Sequence, residues 1–483
     1  MNPLTRAVNA TLMPGFVGPL LPDWLAAELA DGLGSVCLFA TNIVDPEQTR
    51  ALCDAIHAAN PAALIATDEE GGDVTRLHHL TGSPYPSMAY LGRVDDEGLT
   101  ERVGAGIGAE LAAAGIDLDL APDADVNSNP RNPVIGVRSF GADPALVARH
   151  VAAYTRGLQG AGVAACAKHF PGHGDTATDS HLALPTITVD PGTLKARELV
   201  PFAAAVQAGT LAVMTSHIMV PTLDTELPAT LSAPILGLLR DRFGFTGAIV
   251  SDALDMAGAS AGRGLAEAAV LALAAGCDLL CIGTDNTAEQ LAEIRAAVLA
   301  ALASGRLPQQ RVFEAAERVA TLSRGVAALR AAAPSERPEP PELTAAGFTI
   351  AGPLPALAAP LLVRLDSPDN IAAGDTVWGL ADHLADEISA AFPGATITTL
   401  HRPFDLTPVL QSEGPVVVQG RDLGRVPQLT AAVADIRAAR PDALIVELGW
   451  PDPSAKVRPD VITYCGGRGT MLALLRALAE RRR

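Results

Sequence analysis

The chain has 483 residues, of which 49% are hydrophobic and 18% are charged, and its formal net charge is −19 at pH 7. This length exceeds one ordinary hydrophobic core and indicates two domains. The composition is that of a packed globular protein. The negative charge argues against nucleic acid or an anionic membrane surface as a partner, and we expect it to favour solubility.

The cysteines and the N-terminal residues carry little specific signal. Six cysteines are scattered, mostly through apolar segments, without a CxxC pair, so we expect buried thiols. The first 24 residues lack a basic stretch followed by an uninterrupted apolar run. No apolar run in the sequence is long enough to span a membrane. These features predict a cytoplasmic protein.

The first 330 residues alternate short apolar runs with alanine-rich helical stretches, and each apolar run ends in polar residues or glycine. This alternation is typical of βα units around a parallel sheet. Eight such units favour a closed, TIM-like (β/α)8 barrel. The strands are predicted at residues 11–14, 36–39, 64–67, 116–121, 163–167, 211–215, 248–250 and 278–282.

A proline-rich, charged segment follows the predicted barrel. Its composition indicates an extended linker at residues 331–344, between a barrel domain of residues 1–330 and a second domain of residues 345–483. The second domain alternates strand-like runs with helical pieces, which predicts a small α/β sandwich. Its strands are expected at residues 360–365, 376–380, 395–399, 415–419 and 443–448.

The densest group of chemically active side chains lies at residues 168–181, KHFPGHGDTATDSH, directly after the fifth predicted strand. It holds one lysine, three histidines and two aspartates. Barrel enzymes build their active sites from the loops that follow the strands. Asp68, Asp125, His217 and Asp252 also follow predicted strands. We therefore expect one active site at this end of the barrel.

A metal site is an alternative for this cluster, because imidazole and carboxylate are common ligands. Neither an HExxH motif nor a cysteine-rich spacing accompanies it, so no metal is expected. A solvated polar loop would explain a single histidine but not the whole cluster. Asp123, Asp125 and Asn127 are expected to brace the mouth of the barrel by hydrogen bonds.

Two aspartates have positions that suggest direct roles. Asp179 lies two residues before His181, so its carboxylate can accept the ring N–H, fix the tautomer and support the charged ring. Asp252 directly follows an apolar strand that would present it at the mouth. A helix N-cap is the alternative for Asp252, and it is the favoured role for Asp255.

These segments resemble signatures of glycoside hydrolase family 3, in its branch of β-N-acetylglucosaminidases. Residues 168–181 match the KHFPGHG segment and the Asp-Ser-His triplet that follows it. Residues 67–76 resemble the D-(Q/E)-E-G-G-x-V-x-R segment, residues 127–141 the NSNP…VIGxRSFG segment, and residues 247–256 the nucleophile motif. The resemblance spans the barrel and extends, less specifically, to the second domain.

The resemblance implies a retaining, exo-acting β-N-acetylglucosaminidase that removes terminal N-acetylglucosamine from a small glycoside or a cell-wall-derived sugar. It gives Asp252 the role of nucleophile, and Asp179 with His181 the role of acid/base dyad. Because the dyad is present, Glu447 is expected to be structural, although other branches take an acid/base carboxylate from the second domain. The residues implied around the terminal sugar are Asp68, Arg76, Arg138, Lys168, His169 and His217.

Several alternatives remain open at this point. Asp68 and Arg76 could form an internal ion pair that only holds their loop, and His217 could be a hydrogen-bonded supporting residue. No cofactor is expected, but a neutral imidazole repels an anion less than a carboxylate does, so phosphate could replace water as the acceptor. A phosphorylase on the same scaffold is thus an alternative activity. A β-glucosidase on that scaffold is another. An idle sugar-binding protein is the non-enzymatic alternative, and the sequence leaves the oligomeric state open.

Overall fold

The computed structural model describes residues 2–177, 184–368 and 372–480. The chain divides into two compact units, and two short segments of the N-terminal half belong to the second. The first unit comprises Met1–Glu69, Glu97–Ser128 and Ala142–Glu339. The second unit comprises Glu70–Asp96, Asn129–Gly141 and Pro340–Arg483.

The first unit is built around a parallel sheet, which has eight strands in the part of the chain that is described. They are β1 Leu12–Pro14, β2 Ser35–Cys37, β3 Leu64–Thr67, β4 Leu118–Asp119, β5 Ala164–Phe170, β6 Ala212–Thr215, β7 Ala248–Ser251 and β8 Leu279–Gly283. Their hydrogen-bonded order is β1-β8-β7-β6-β5-β4-β3-β2, and β1 lies beside β2. The sheet is therefore a nearly closed barrel. This confirms the predicted fold, and each predicted strand overlaps an observed one.

Helices follow most of the strands, and several begin at capping residues that the sequence supplies. Asp143, for example, accepts the backbone N–H groups of Ala145 and Leu146, and Pro144 occupies the first turn. In chain order the helices are α1 Pro3–Ala10, α2 Asp23–Ala30, α3 Pro46–Ala59, α4 Met88–Val94, α5 Glu97–Ala114, α6 Pro144–Gly160, α7 Pro191–Thr193, α8 Leu199–Gln207, α9 Ala233–Asp241, α10 Ala257–Ser260, α11 Leu265–Ala275, α12 Ala288–Ala303, α13 Gln309–Ala332, α14 Ala385–Ala391, α15 Thr407–Leu410, α16 Pro427–Ala439 and α17 Arg468–Ala479. Among these helices of the described ranges, none has the length and apolar character that a bilayer crossing requires.

The barrel interior is a packed core. Every strand contributes to one buried apolar cluster, and α13 adds Val319, Leu322 and Val326. All six cysteines are buried, as expected, and they are free thiols. Because side chains fill the interior, polar groups that must meet a ligand can lie only at the ends of the strands.

The second unit contains a mixed sheet. Its strands in the described residues are β9 Thr349–Ile350, β10 Leu361–Leu365, β11 Thr396–Leu400, β12 Val416–Gly420, β13 Leu444–Glu447 and β14 Val461–Ile462, in the order β11-β10-β12-β13-β14-β9. The edge strand β9 is antiparallel to β14, and the other pairs are parallel. Residues of α16 pack on this sheet in a shared apolar cluster. This is the α/β sandwich that the sequence predicts.

One predicted strand of this unit is wrong, because residues 376–380 form a loop. Gly379 has φ of 76°, which breaks an extended run. The Gln419 side chain donates to the Leu380 carbonyl at 2.7 Å and accepts its N–H at 2.8 Å. Trp378 stacks against the guanidinium groups of Arg364 and Arg421. The apolar side chains that suggested a strand are thus buried by loop packing.

Candidate active site

Five of the predicted site residues belong to the first unit and lie at or just after the ends of four of its strands. Asp68 follows β3, Lys168 and His169 lie in the last part of β5, and His217 and Asp252 follow β6 and β7. Because the strands are parallel, these residues lie at the same end of the barrel. The fold therefore brings the five together at its C-terminal face.

The end of β5 is irregular where it carries Lys168 and His169. Its pairing with β6 shifts register between Ala167 and Phe170, and such irregularities redirect side chains. Lys168 is buried, with 2% of its side chain exposed, and its Nζ donates to Asp68 Oδ1 at 2.6 Å. Asp68 keeps 18% of its side chain exposed. The pair thus presents a neutralised carboxylate at the mouth of the barrel.

His169 is oriented by Asp125. Its Nδ1 lies 2.7 Å from Asp125 Oδ2, which assigns the proton to Nδ1 and makes Nε2 the acceptor nitrogen of the neutral ring. The N–H of Asp125 donates to Asp123 Oδ1 at 2.9 Å, so these aspartates brace one another. Burial acts to raise the pKa of Asp125, but the neighbouring His169 and the N–H donors outweigh it and lower that pKa below its usual value.

The same group has metal-ligand chemistry. One ligand atom from each of Asp123, Asp125 and His169 lies within 4.8 Å of the others. A metal ion there would replace the proton that Asp125 and His169 share, because ligating imidazole and carboxylate must give up their protons. The absence of a metal requirement stays a prediction.

Asp252 is a partly exposed carboxylate directly after β7. Its N–H donates to Thr215 Oγ1 at 3.3 Å, and its Oδ1 accepts the N–H of Ala253 at 2.8 Å. The expected capping role of Asp255 is wrong, because α10 begins after Met256 without a side-chain cap. The Asp255 carboxylate instead lies against Gly283, where a Cβ atom would be 2.0 Å from Asp255 Oδ2.

His217 is fully buried and holds the backbone next to Asp252. Its Nε2 lies 2.8 Å from the carbonyl oxygen of Ala253, and its Nδ1 lies 2.9 Å from Thr230 Oγ1. A carbonyl oxygen can only accept, so Nε2 carries the proton. These bonds favour the supporting interpretation of His217 over direct contact with a sugar.

The two arginines of the predicted set belong to the second unit. Arg138 makes a bidentate ion pair with Glu70, at 2.9 Å from Nε to Oε2 and 2.7 Å from Nη2 to Oε1, and both side chains are buried. Arg76 donates to the carbonyl oxygens of Ala372 and Ala373, each at 2.9 Å. Their guanidinium groups are thus held in fixed orientations.

Glu447, also in the second unit, has the structural role that was expected. It accepts the backbone N–H groups of Asp422, Leu423 and Gly449 at 2.9, 2.8 and 2.7 Å. These bonds tie together the ends of β12 and β13, so the carboxylate is committed to holding the loops of this sheet.

The predicted dyad, Asp179 and His181, lies outside the described residues. The segment that leads to it, residues 171–177, packs closely on both sides. A Cβ atom at Gly172, whose φ is +127°, would lie 2.8 Å from Glu198 Cβ, and one at Gly174 would lie 1.8 Å from the carbonyl oxygen of Val126. The two glycines of this segment are therefore required by close approach of the backbone.

Glu198 is not predicted from the sequence and lies in the π-helical turn Leu194–Glu198 before α8. It is completely buried, and burial raises the pKa of its carboxyl to about 7. Arg197 connects it to the loop: Nε donates to Glu198 Oε1 at 2.5 Å and Nη2 to Asp175 Oδ2 at 2.8 Å. A charged pair before an apolar helix gives no sequence signal for this burial.

Comparison with known proteins agrees with this architecture. Residues 23–322 match the family model described as glycosyl hydrolase family 3 N terminal domain. A β-hexosaminidase of Methylococcus capsulatus is 39% identical over 263 residues, covering 54% of this chain and 78% of the relative. One from Thiobacillus denitrificans is 39% identical over 297 residues, covering 58% of this chain and 82% of the relative.

Solved structures extend the likeness to both units. A family 3 β-N-acetylglucosaminidase from Paenibacillus sp. FPU-7 superposes with a TM-score of 0.88 at 32% identity, covering 100% of this chain and 97% of the other. A β-glucoside phosphorylase shares the fold, with a TM-score of 0.78 at 19% identity over 100% of this chain and 92% of the other. The chain therefore belongs to glycoside hydrolase family 3 and is a glycosidase.

Proposed function

We propose that this glycosidase is a retaining, exo-acting β-N-acetylglucosaminidase. The observation that carries the proposal is the partly exposed carboxylate of Asp252 at the end of β7, at the same end of the barrel as the Asp68–Lys168 and Asp125–His169 pairs. The relatives named β-hexosaminidase and the β-N-acetylglucosaminidase structure support an N-acetyl sugar as the substrate.

In the proposed mechanism, Asp252 attacks the anomeric carbon while the bond to the leaving oxygen breaks, and His181 donates its proton to that oxygen. A covalent glycosyl intermediate results. His181 then removes a proton from the acceptor as it displaces Asp252, which restores the original configuration. Asp179 orients His181 and stabilises the charged form of its ring. Histidine suits both steps near neutral pH, because its ordinary pKa is about 6.5.

The sugar-binding part of the proposal rests on the charged pairs around the mouth. Lys168 neutralises Asp68, so the carboxylate can accept hydrogen bonds from hydroxyl groups without an uncompensated charge. His169 offers Nε2 as an acceptor because Asp125 holds Nδ1. The sugar-binding role of Arg76 and Arg138 stays a prediction from the family resemblance. Such contacts contribute to catalysis when they strengthen as the sugar ring distorts.

Substrate choice is tested with the p-nitrophenyl β-glycosides of N-acetylglucosamine and of glucose. We expect the N-acetyl sugar to be cleaved with the higher kcat/KM, Asp252→Ala to be inactive, and Asp255→Asn to stay active as the matched control. A preference for glucose would overturn the proposed substrate. Binding of both glycosides without turnover would instead support the idle sugar-binding alternative.

Water is the proposed acceptor, and phosphate is the alternative because the proposed base is a histidine. The test is product analysis in phosphate buffer and in a phosphate-free buffer of equal ionic strength. Free sugar at an unchanged rate supports hydrolysis. A faster turnover in phosphate that yields the β anomer of the sugar 1-phosphate would overturn water as the acceptor.

A further inference from the structure

The segment of residues 171–177 is held between two parts of the first unit. On one side Gly174 approaches Val126 so closely that any side chain would collide with its carbonyl oxygen. On the other side Gly172 lies against Glu198. Between the glycines, the N–H of His173 donates to Asp125 Oδ1 at 2.5 Å, which ties the segment to the partner of His169.

Asp175 is the last charged residue of this segment, and Arg197 is its ion-pair partner at 2.8 Å. The two side chains are 29% and 25% exposed, respectively. Ion pairs with this much exposure contribute little to the stability of a fold. A contribution to the stability of the fold therefore does not explain the ion pair between Asp175 and Arg197 well.

Arg197 is itself held in place by a buried residue. Its Nε donates to Glu198, whose side chain is fully buried. The second carboxylate oxygen, Oε2, makes no hydrogen bond within the described ranges and lies 3.0 Å from the Cβ position of Gly172. One buried residue therefore supports the loop at Gly172 directly and at Asp175 through Arg197. The π-helical turn that carries both residues is a rare conformation that recurs at functional sites.

We propose that Arg197 is a positioning residue for the acid/base step of catalysis. By fixing Asp175 on the Glu198 anchor, it holds the segment of residues 171–177, which precedes Asp179 and His181 in the sequence, and this inference rests on the proposed function of that dyad. Small displacements of a reacting group cause large rate losses. Loss of Arg197 should therefore impair proton transfer and leave attack by Asp252 intact.

The test compares two substrates of the Arg197→Met variant. A disaccharide needs its leaving oxygen protonated, whereas a 2,4-dinitrophenyl glycoside scarcely does. We expect kcat/KM to fall about tenfold or more on the disaccharide and less than about threefold on the dinitrophenyl glycoside. Arg197→Lys, which keeps the charge, should restore part of the loss, and Asp175→Asn should reproduce it.

Two controls separate positioning from structure. Arg295→Met removes a comparably buried ion pair with Glu28 in the same unit, and it should leave both rates unchanged. In a His181→Ala background, Arg197→Met should cause no further loss. Equal losses on both substrates, or an additive loss in that background, would overturn the inference.

The His181→Ala variant also distinguishes failure of the positioning role of Arg197 from failure of the proposed acid/base role of the dyad. If that variant discriminates between the two substrates and Arg197→Met does not, the positioning role fails and the dyad stands. If His181→Ala slows both substrates equally while glycosylation limits the rate, the acid role of His181 fails, and the positioning role fails with it.

Discussion

His217 Nε2 lies 2.8 Å from the carbonyl oxygen of Ala253, the residue that directly follows Asp252. A buried imidazole thus fixes the backbone that carries the proposed nucleophile. Kinetic constants can separate the two interpretations of this histidine. A residue that holds the nucleophile affects kcat, whereas a residue that binds the sugar affects KM.

We expect His217→Asn to lower kcat by about tenfold to a hundredfold, because a misplaced nucleophile slows the chemical step. The KM for p-nitrophenyl N-acetyl-β-glucosaminide should change little. Steady-state kinetics on the folded variant, checked by circular dichroism, give both constants. A raised KM with unchanged kcat would instead show that His217 contacts the sugar.

The Lys168–Asp68 pair should be tightly coupled, because Lys168 is almost completely buried. Asp68→Asn leaves this ammonium group without its counter-ion, and we expect the free energy of unfolding to fall by about 3 kcal/mol. Lys168→Met in the same chain should recover part of the loss. Urea titration of both single variants and the double variant measures the coupling, and strictly additive losses would contradict it.

His173 should make stability depend on pH. Burial lowers the pKa of its ring to about 4 in the folded protein, whereas the unfolded chain has the ordinary value of 6.5. Between these values the unfolded state binds the proton and the folded state does not. The folded protein therefore loses stability as the pH falls from 6.5 to 4, by up to about 3 kcal/mol.

The measurement for His173 is the free energy of unfolding of the wild type and of His173→Gln across this range. The difference between them should shrink or reverse in favour of the variant as the pH falls. Parallel pH profiles for the two proteins would show that the ring titrates normally in the folded state.

Glu198 should have the opposite effect in an overlapping range. Its folded pKa of about 7 lies above the ordinary value of 4.5, so the folded state holds a proton that the unfolded state releases. The resulting stability is complete below pH 4.5 and is lost as the pH rises through 7, with a magnitude of about 3 kcal/mol. Glu198→Gln should abolish this loss. A variant that still loses stability over the same range would assign it to another group.

The sequence predicts the barrel well because each strand is a short apolar run that ends in polar residues, and this pattern is local. The positions of Asp68 and Asp252 follow from it, since the end of a strand is visible in the sequence. The two-residue strands β9 and β14 are too short to leave such a pattern.

Contacts between distant residues could not be predicted in this way. The glycines of the KHFPGHG segment can be recognised as a motif, but Glu198 and Val126, which require them, lie 26 and 48 residues from the nearest glycine that each contacts. Likewise, the loop at residues 376–380 is apolar enough for a strand, but the side chain of Gln419 and the φ of Gly379 favour the loop.

The proposed mechanism requires Asp252 to form a covalent bond to the sugar. This bond can be detected by trapping the enzyme with a fluorinated N-acetylglucosaminyl fluoride, which slows release of the intermediate, and by locating the label with peptide mass spectrometry. We expect one labelled peptide, with the sugar on Asp252, and no label in the Asp252→Ala variant. A sugar attached to Asp255 or Glu447 would contradict it.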